Sequence, residues 1–428
     1  MIANRLLITL CLALVAATTL PAQIEFHGQA NPLVRFTRQQ RFLDLPHRFV
    51  TIDGRRQGSA VGMYFATALE YRPGRDSLTL DLREAYAEVY TGLGDWRFGK
   101  QIVTWGAADG NNPTDNITPY DFYYLFLPGT DRKKGALAAS ASLYFGNLNL
   151  EAVFSPFHQP NRIPLAEPDF PIFGEAPFEI DLSKERRLPR KLKNSEYGLR
   201  LALPLSQVDI SVSYFSGFDR MFTPYTTIVM GANGPSIELD SLVYHRTSAL
   251  GGDLVTFVSD WAIRVEGAYF MTEDDEGVSP IIRNPYLQYV LQLDYSRDQT
   301  MYMVQYLGSY ITKLDGDDVI NLLGTITEDE NEEDNLAPRL GMPFAAIAQN
   351  AVMVSASKDF SDGRYSLQGQ ALYDLDKGGY MVGGRVTVSM EEAFDIEAGL
   401  TLLGGDTDSR LNGMRDFSHL SIGLKYSF

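Results

Sequence analysis

The sequence is almost without cysteine, poor in histidine and short of positive charge. Among 428 residues there is one Cys, and 37 Lys+Arg stand against 54 Asp+Glu, a formal net charge of −17. One cysteine builds neither a disulfide framework nor a structural zinc site, and a chain of this length buries enough surface to need neither. The shortage of cations argues against nucleic acid, whose binding depends on Lys and Arg neutralising phosphates. The five histidines, His27, His47, His158, His245 and His419, sit in no recognisable nucleophile or metal motif, so no enzyme activity, cofactor or metal is expected. Beyond residue 22 no apolar run approaches the roughly 20 residues of a membrane helix. Yet aromatics reach 12% against 21% charged residues, which a disordered acidic chain would not carry. The mean hydropathy of −0.14 matches an ordinary soluble protein until the order of the residues is read.

Residues 1–22 read as a signal peptide, with Arg5 as the positive start, Leu6 to Leu20 as the apolar stretch and Pro21-Ala22 near small residues at its end. Cys11 lies inside that stretch rather than at a lipoprotein cleavage point. Residues 23–428 then form a single exported domain. An exported chain without membrane helices is either soluble or a closed β-barrel, because only helices and barrels satisfy the backbone in lipid.

Alternation decides for the barrel. In Ser418 to Phe428, Leu420, Ile422, Leu424, Tyr426 and Phe428 share one face, and His419, Ser421, Gly423, Lys425 and Ser427 the other. Tyr286 to Ser296 and Tyr380 to Met390 repeat the pattern. Such runs of about ten residues with aromatics near their ends are the mark of a transmembrane strand, longer than the ~5–6 residues usual in soluble sandwiches. The last strand also resembles those of bacterial outer-membrane proteins, which end on an aromatic that the barrel-assembly machinery reads; here that signal is Phe428.

Short connections at 91–95, 146–147, 205–207, 259–260, 297–299, 361–363 and 391–392 alternate with long ones at 106–134, 155–194, 217–243, 273–284 and 313–345. Short turns face the periplasm and long loops the exterior in such barrels, with an even strand number. Residues 60–428 hold sixteen strands, and 24–36 with 41–52 add a pair. The expectation is an all-β, antiparallel, up-and-down transmembrane barrel of 18 strands, with 16 the next choice. Barrels of that width leave an aqueous channel.

By alternation, Glu151, Arg200, Asp209, Arg264, Glu266, Gln288, Gln292, Asp294, Gln368, Gln370, Arg385 and Lys425 face the lumen. The segment Leu82-Arg83-Glu84-Ala85-Tyr86 has no clean parity, and Lys100 shares a face with Trp96 and Phe98, which calls for a β-bulge or a charge shielded by an inward loop. The loop that follows carries Asp109, Asp115 and Asp121. It is expected to fold inward as a constriction, its carboxylates facing Arg83, Arg97 or Lys100. The pore candidates are therefore Arg83, Arg97, Lys100, Asp109, Asp115, Asp121, Arg200, Arg264, Glu266 and Arg385. The basic run Lys184 to Lys193 offers Arg186, Arg187, Arg190 and Lys191 to an anionic solute or to the phosphates of lipopolysaccharide. Glu328 to Asp334 reads as a solvated acidic tip without the ligand spacing of a calcium loop.

The elements R-E-A-Y (83–86), G-K-Q-x-x-x-W-G (99–106) and D-x-x-N-P-x-D (109–115) resemble a family of porin-like outer-membrane barrels grouped as a domain of unknown function. The resemblance covers residues 80–121 and the terminal strand and implies location in a Gram-negative outer membrane, with its lipids as surroundings. It also permits export of lipid or other hydrophobic compounds, which some relatives are associated with. Three functions remain: a porin-like channel for small solutes, a transporter of hydrophobic compounds, and a structural surface barrel. The run Asp121 to Pro128, D-F-Y-Y-L-F-L-P, is the feature that favours an apolar cargo, and it serves equally as a packed plug.

Overall fold

A computed structural model describes residues 24–39, 41–165, 167–168, 170, 172, 180–231, 234–277, 279, 281–312, 340–361, 363–391 and 393–428. The leader at 1–22 and the acidic run Glu328 to Asp334 lie outside the described residues.

The first strands are β1 (Glu25–Ala30), β2 (Leu33–Thr37), β3 (His47–Arg56), β4 (Val61–Arg72), β5 (Ser77–Thr91), β6 (Gly94–Gln101) and β7 (Ala136–Phe145). They are followed by β8 (Leu148–Ser155), β9 (Glu196–Pro204), β10 (Val208–Phe218), β11 (Thr223–Gly231), β12 (Gly234–Val243), β13 (Arg246–Val258) and β14 (Trp261–Thr272). The last are β15 (Tyr286–Arg297), β16 (Thr300–Ile311), β17 (Asn350–Phe360), β18 (Tyr365–Asp374), β19 (Tyr380–Glu391), β20 (Phe394–Gly404) and β21 (His419–Ser427).

Nineteen of these join one antiparallel sheet, and β11 with β12 makes a separate hairpin. β1 and β2 occupy one position in tandem, interrupted at Asn31-Pro32, because both pair with β21 while β1 alone pairs with β3. The result is a closed barrel of 18 strands. At the closure the Phe428 ring lies over Gly28, where a Cβ would stand 2.2 Å from it, so a larger residue there would push the ring aside. The expected strand 41–52 is observed as β3, several residues later, since 41–43 fold back on 35–37 instead. The expected loop 217–243 instead contains the hairpin β11–β12, whose alternating Thr, Ile, Val and Glu suit two-sided exposure.

Alternation places Val212, Leu250, Val265, Leu291, Val304, Leu367, Val386, Leu400 and Ile422 on the outer wall, all exposed. In water such a belt would be an aggregation surface; around a closed barrel it is a face for lipid. Aromatics edge it at the short-turn end, where Trp261 and Tyr295 stack at 4.8 Å and Tyr295 and Tyr302 at 6.4 Å. Tyr197 with Tyr214 and Tyr289 with Tyr306 pair towards the long-loop end. Tyr suits both positions because its ring is apolar and its hydroxyl wet.

Among the described barrel strands three register shifts break this regularity: one falls on β19 between Ser389 and Glu391, and two fall early in the barrel. Of these two, one lies between Arg48 and Val50 on β3 and the other between Ala66 and Thr67 on β4, where Arg83 of β5 is passed over in the pairing with Glu84 and Leu82. The latter is the bulge that the mixed parity of Asp81 to Tyr90 requires.

Candidate functional site

The 102–135 segment leaves β6 and lies against the inner wall. Gly106 and Gly110 adopt φ of +100° and +88°, and a Cβ on Gly106 would meet the Glu266 carboxylate at 2.4 Å. Glycine is needed there for both reasons. Five donors of this loop close on that one carboxylate: Ala107 N at 2.9 Å, Ala108 N at 3.2 Å, Asn112 Nδ2 at 2.9 Å, Thr114 N at 3.0 Å and Thr114 Oγ1 at 2.7 Å. Beside it, Asp109 N donates to Gln292 Oε1 at 2.7 Å, Gln292 Nε2 returns a bond to Asp109 Oδ2 at 2.9 Å, and Gln305 Nε2 donates to the Asp109 carbonyl at 3.1 Å. Arg264 Nη1 adds a bond to the Ala107 carbonyl at 2.8 Å, so inward side chains of β14, β15 and β16 together hold the loop.

The other end of the loop is tied to different strands. Arg220 donates to the carbonyls of Asn116 and Ile117 at 3.1 and 2.8 Å while its Nη1 pairs with Glu196 at 2.7 Å. Arg162 bridges Glu70 of β4 and Asp121 at 2.9 and 3.1 Å, and the Tyr124 hydroxyl donates to Glu70 at 2.8 Å. Within the loop Lys133 pairs with Asp115 at 2.9 Å, both buried. Burial pushes the Lys133 ammonium down to about 8 and raises the carboxyls of Asp115 and Asp121, because a charge loses its hydration there. The loop therefore crosses the lumen between β4 and β14–β16.

Towards the outer end it joins an apolar cluster. Phe126 meets Phe170 at 5.9 Å, Phe344 at 5.8 Å and Phe417 at 5.5 Å, and Phe170 meets Phe417 at 4.5 Å. Four outer loops supply these rings. Leu372, Met381 and Leu403, inward residues of β18, β19 and β20, pack into the same cluster. The run Asp121 to Pro128 is thus part of a packed plug.

Deeper in the barrel, Gln368, Gln370 and Arg385 face inward and remain exposed. Lys425 stands 3.9 Å from Asp395 on the adjoining strands. Among the described residues no group of three His, Cys, Asp or Glu converges as metal ligands would.

The expected pairing of Asp109, Asp115 and Asp121 with Arg83, Arg97 or Lys100 does not occur. Their partners are Gln292, Lys133 and Arg162, which lie nearer along the path of the loop. Arg97 pairs with Glu88 at 2.7 Å, one strand away. Lys100 is not a lumen residue: it lies on the outward face with Trp96 and Phe98, and its ammonium bonds the Leu82 carbonyl beside the bulge. Arg83 does turn inward, onto Asp131 at 3.1 Å. Arg200 pairs with Glu151 at 3.0 Å, and Arg264 with Asp294 at 2.8 Å, so these charges neutralise one another across adjacent strands. Arg186, Arg187, Arg190 and Lys191 are exposed on the outer rim, Arg187 held by Glu185 at 3.0 Å and Arg190 over the Phe157 ring. Phe428 is exposed on the outer wall beside Tyr426. Glu70, Arg162, Arg220 and Arg48 were missed; inward parity marks Glu70, but nothing local marks loop arginines that reach across the barrel.

A closed, lipid-faced barrel of 18 strands with a loop laid through its lumen defines an outer-membrane-type, porin-like β-barrel. Residues 55–428 match the family described as "Protein of unknown function (DUF1302)", and the chain belongs to it. No curated protein matches the sequence. Among solved structures it is similar to the outer membrane protein OpdK of Pseudomonas aeruginosa, with 8% identity, TM-score 0.54 and 95% of this chain and 99% of that one covered. OccK5 (OpdH) of the same organism gives 10% identity, TM-score 0.51 and coverage of 95% and 98%. OccAB2 of Acinetobacter baumannii gives 9%, 0.51, and 95% and 98%. At such identities the likeness is one of fold.

Proposed function

We propose that the chain is a channel for small solutes in the outer membrane of a Gram-negative bacterium, with the 102–135 loop narrowing its lumen. One observation carries this reading: Gln288, Gln292 and Gln305 are fully buried, the last two against that loop, while Gln368, Gln370 and Arg385 on the neighbouring arc stay open to the interior. The open arc is the solute path, and the aromatic cluster above it is an outer gate whose loops part for passage. The purified chain in a planar bilayer is expected to conduct in brief openings, and removal of residues 106–134 to raise the conductance several-fold. A silent wild-type bilayer, or a conductance untouched by the deletion, would overturn this function. The aromatic cluster favours a second reading, transport of hydrophobic compounds, for which apolar ligands would bind the chain while ionic current stays near zero.

A further inference from the structure

Arg48 and Arg83 sit at two of the register shifts, one on β3 and one on β5, and bulges re-aim side chains. Both converge on the same acceptor. Arg48 Nη1 lies 3.2 Å and Arg83 Nη1 3.1 Å from Asp131 Oδ1, and Arg83 Nη2 donates to the Thr130 carbonyl at 2.7 Å. The Arg48 guanidinium also lies over the Tyr124 ring, 4.0 Å from its centroid. The side chains of Arg48 and Arg83 are only 8% and 13% exposed, whereas that of Asp131 is 50% exposed.

The pairing is incomplete in a specific way. Two cations share one carboxylate, and both use the same oxygen of it. Arg48 Nε and Nη2 and Arg83 Nε are buried without a hydrogen-bond partner. A guanidinium presents a fork that matches both oxygens of a carboxylate, and buried donors left unpaired are costly. Asp131, half in solvent at the end of a loop, meets neither fork in that way.

We propose that Arg48 and Arg83 form a binding site for the carboxylate of a small solute, and that Asp131 is the internal anion such a solute displaces. The fork of each arginine then engages a separate oxygen, and the buried donors gain partners. The proposal rests on the channel reading only for the route by which solute arrives.

The test is a calorimetric titration of the detergent-folded full chain with succinate, with inorganic phosphate and chloride as competing probes. Asp131→Ala is expected to bind succinate about tenfold more tightly than wild type, the effect of freeing charge-assisted donors. Adding Arg48→Gln or Arg83→Gln to that variant is expected to abolish the gain. A misfolded barrel does not produce tighter binding, so the gain itself reports the site. Unchanged affinity in Asp131→Ala, or a gain that survives both arginine substitutions, would overturn the proposal, and a larger gain for phosphate would overturn the choice of a carboxylate. Because the titration needs no current, a chain that binds as described but never conducts refutes the channel and leaves the site. A chain that conducts while Asp131→Ala gains nothing refutes the site alone.

Discussion

Gln305 and Gln370 are the same residue type, both inward, and each stands five positions from the short-turn end of its strand. Gln305 is 0% exposed beneath the 102–135 loop, and Gln370 is exposed to the interior. The two neighbouring arcs of one wall have thus become a socket and a conduit. Inward polarity serves both, because a polar side chain can bond to water or to the backbone of a loop. What separates them is whether a loop with complementary donors reaches that part of the wall.

Glu266→Ala should break the contrast most. It removes the acceptor of five bonds and leaves the amides of Ala107, Ala108 and Thr114 without a partner, a cost of about 3–5 kcal/mol to the docked loop. Trypsin cutting at Lys133 or Lys134, measured on the folded barrel, should accelerate strongly; a resistant loop would show that the socket does not hold it. A paired comparison sharpens the point. Gln305→Ala should destabilise the loop by about 1–3 kcal/mol, while Gln370→Ala should change stability by less than about 0.5 kcal/mol and alter only current and selectivity. Equal effects on heat unfolding would erase the distinction between the arcs.

The smallest effect concerns pH. Burial holds the Lys133 ammonium at about 8 in the folded chain, against the ordinary 10.5 of a lysine in water. Between these values the unfolded chain holds more protons, so the contribution of Lys133 to stability rises with pH, by roughly 1 kcal/mol per unit above 8. Unfolding midpoints of the wild type relative to Lys133→Met, measured from pH 7 to 10, should drift in favour of the wild type. A flat difference would show that Lys133 keeps its charge.

The mixed parity around Arg83 announced a bulge, and a bulge is there. The same local reading put Lys100 in the lumen by joining it to a loop charge, although its own neighbours Trp96 and Phe98 placed it outside. Strand pairing is a short-range matter of alternation and turn length, so it is visible in ten residues. Loop docking joins distant positions, such as Thr114 with Glu266, 152 residues apart, and no local pattern encodes the meeting.

Alternation, turn spacing and composition by themselves determined that this acidic, almost cysteine-free chain becomes an 18-stranded barrel with a lipid-facing belt. The partners of its inward charges were decided only in three dimensions. Once the barrel closes, the loops share one confined interior, and every buried charge must find a counter-charge or donor within reach there. The net charge of −17 therefore says little about the lumen, where most of the inward carboxylates described above are already held by arginines, lysines and backbone amides.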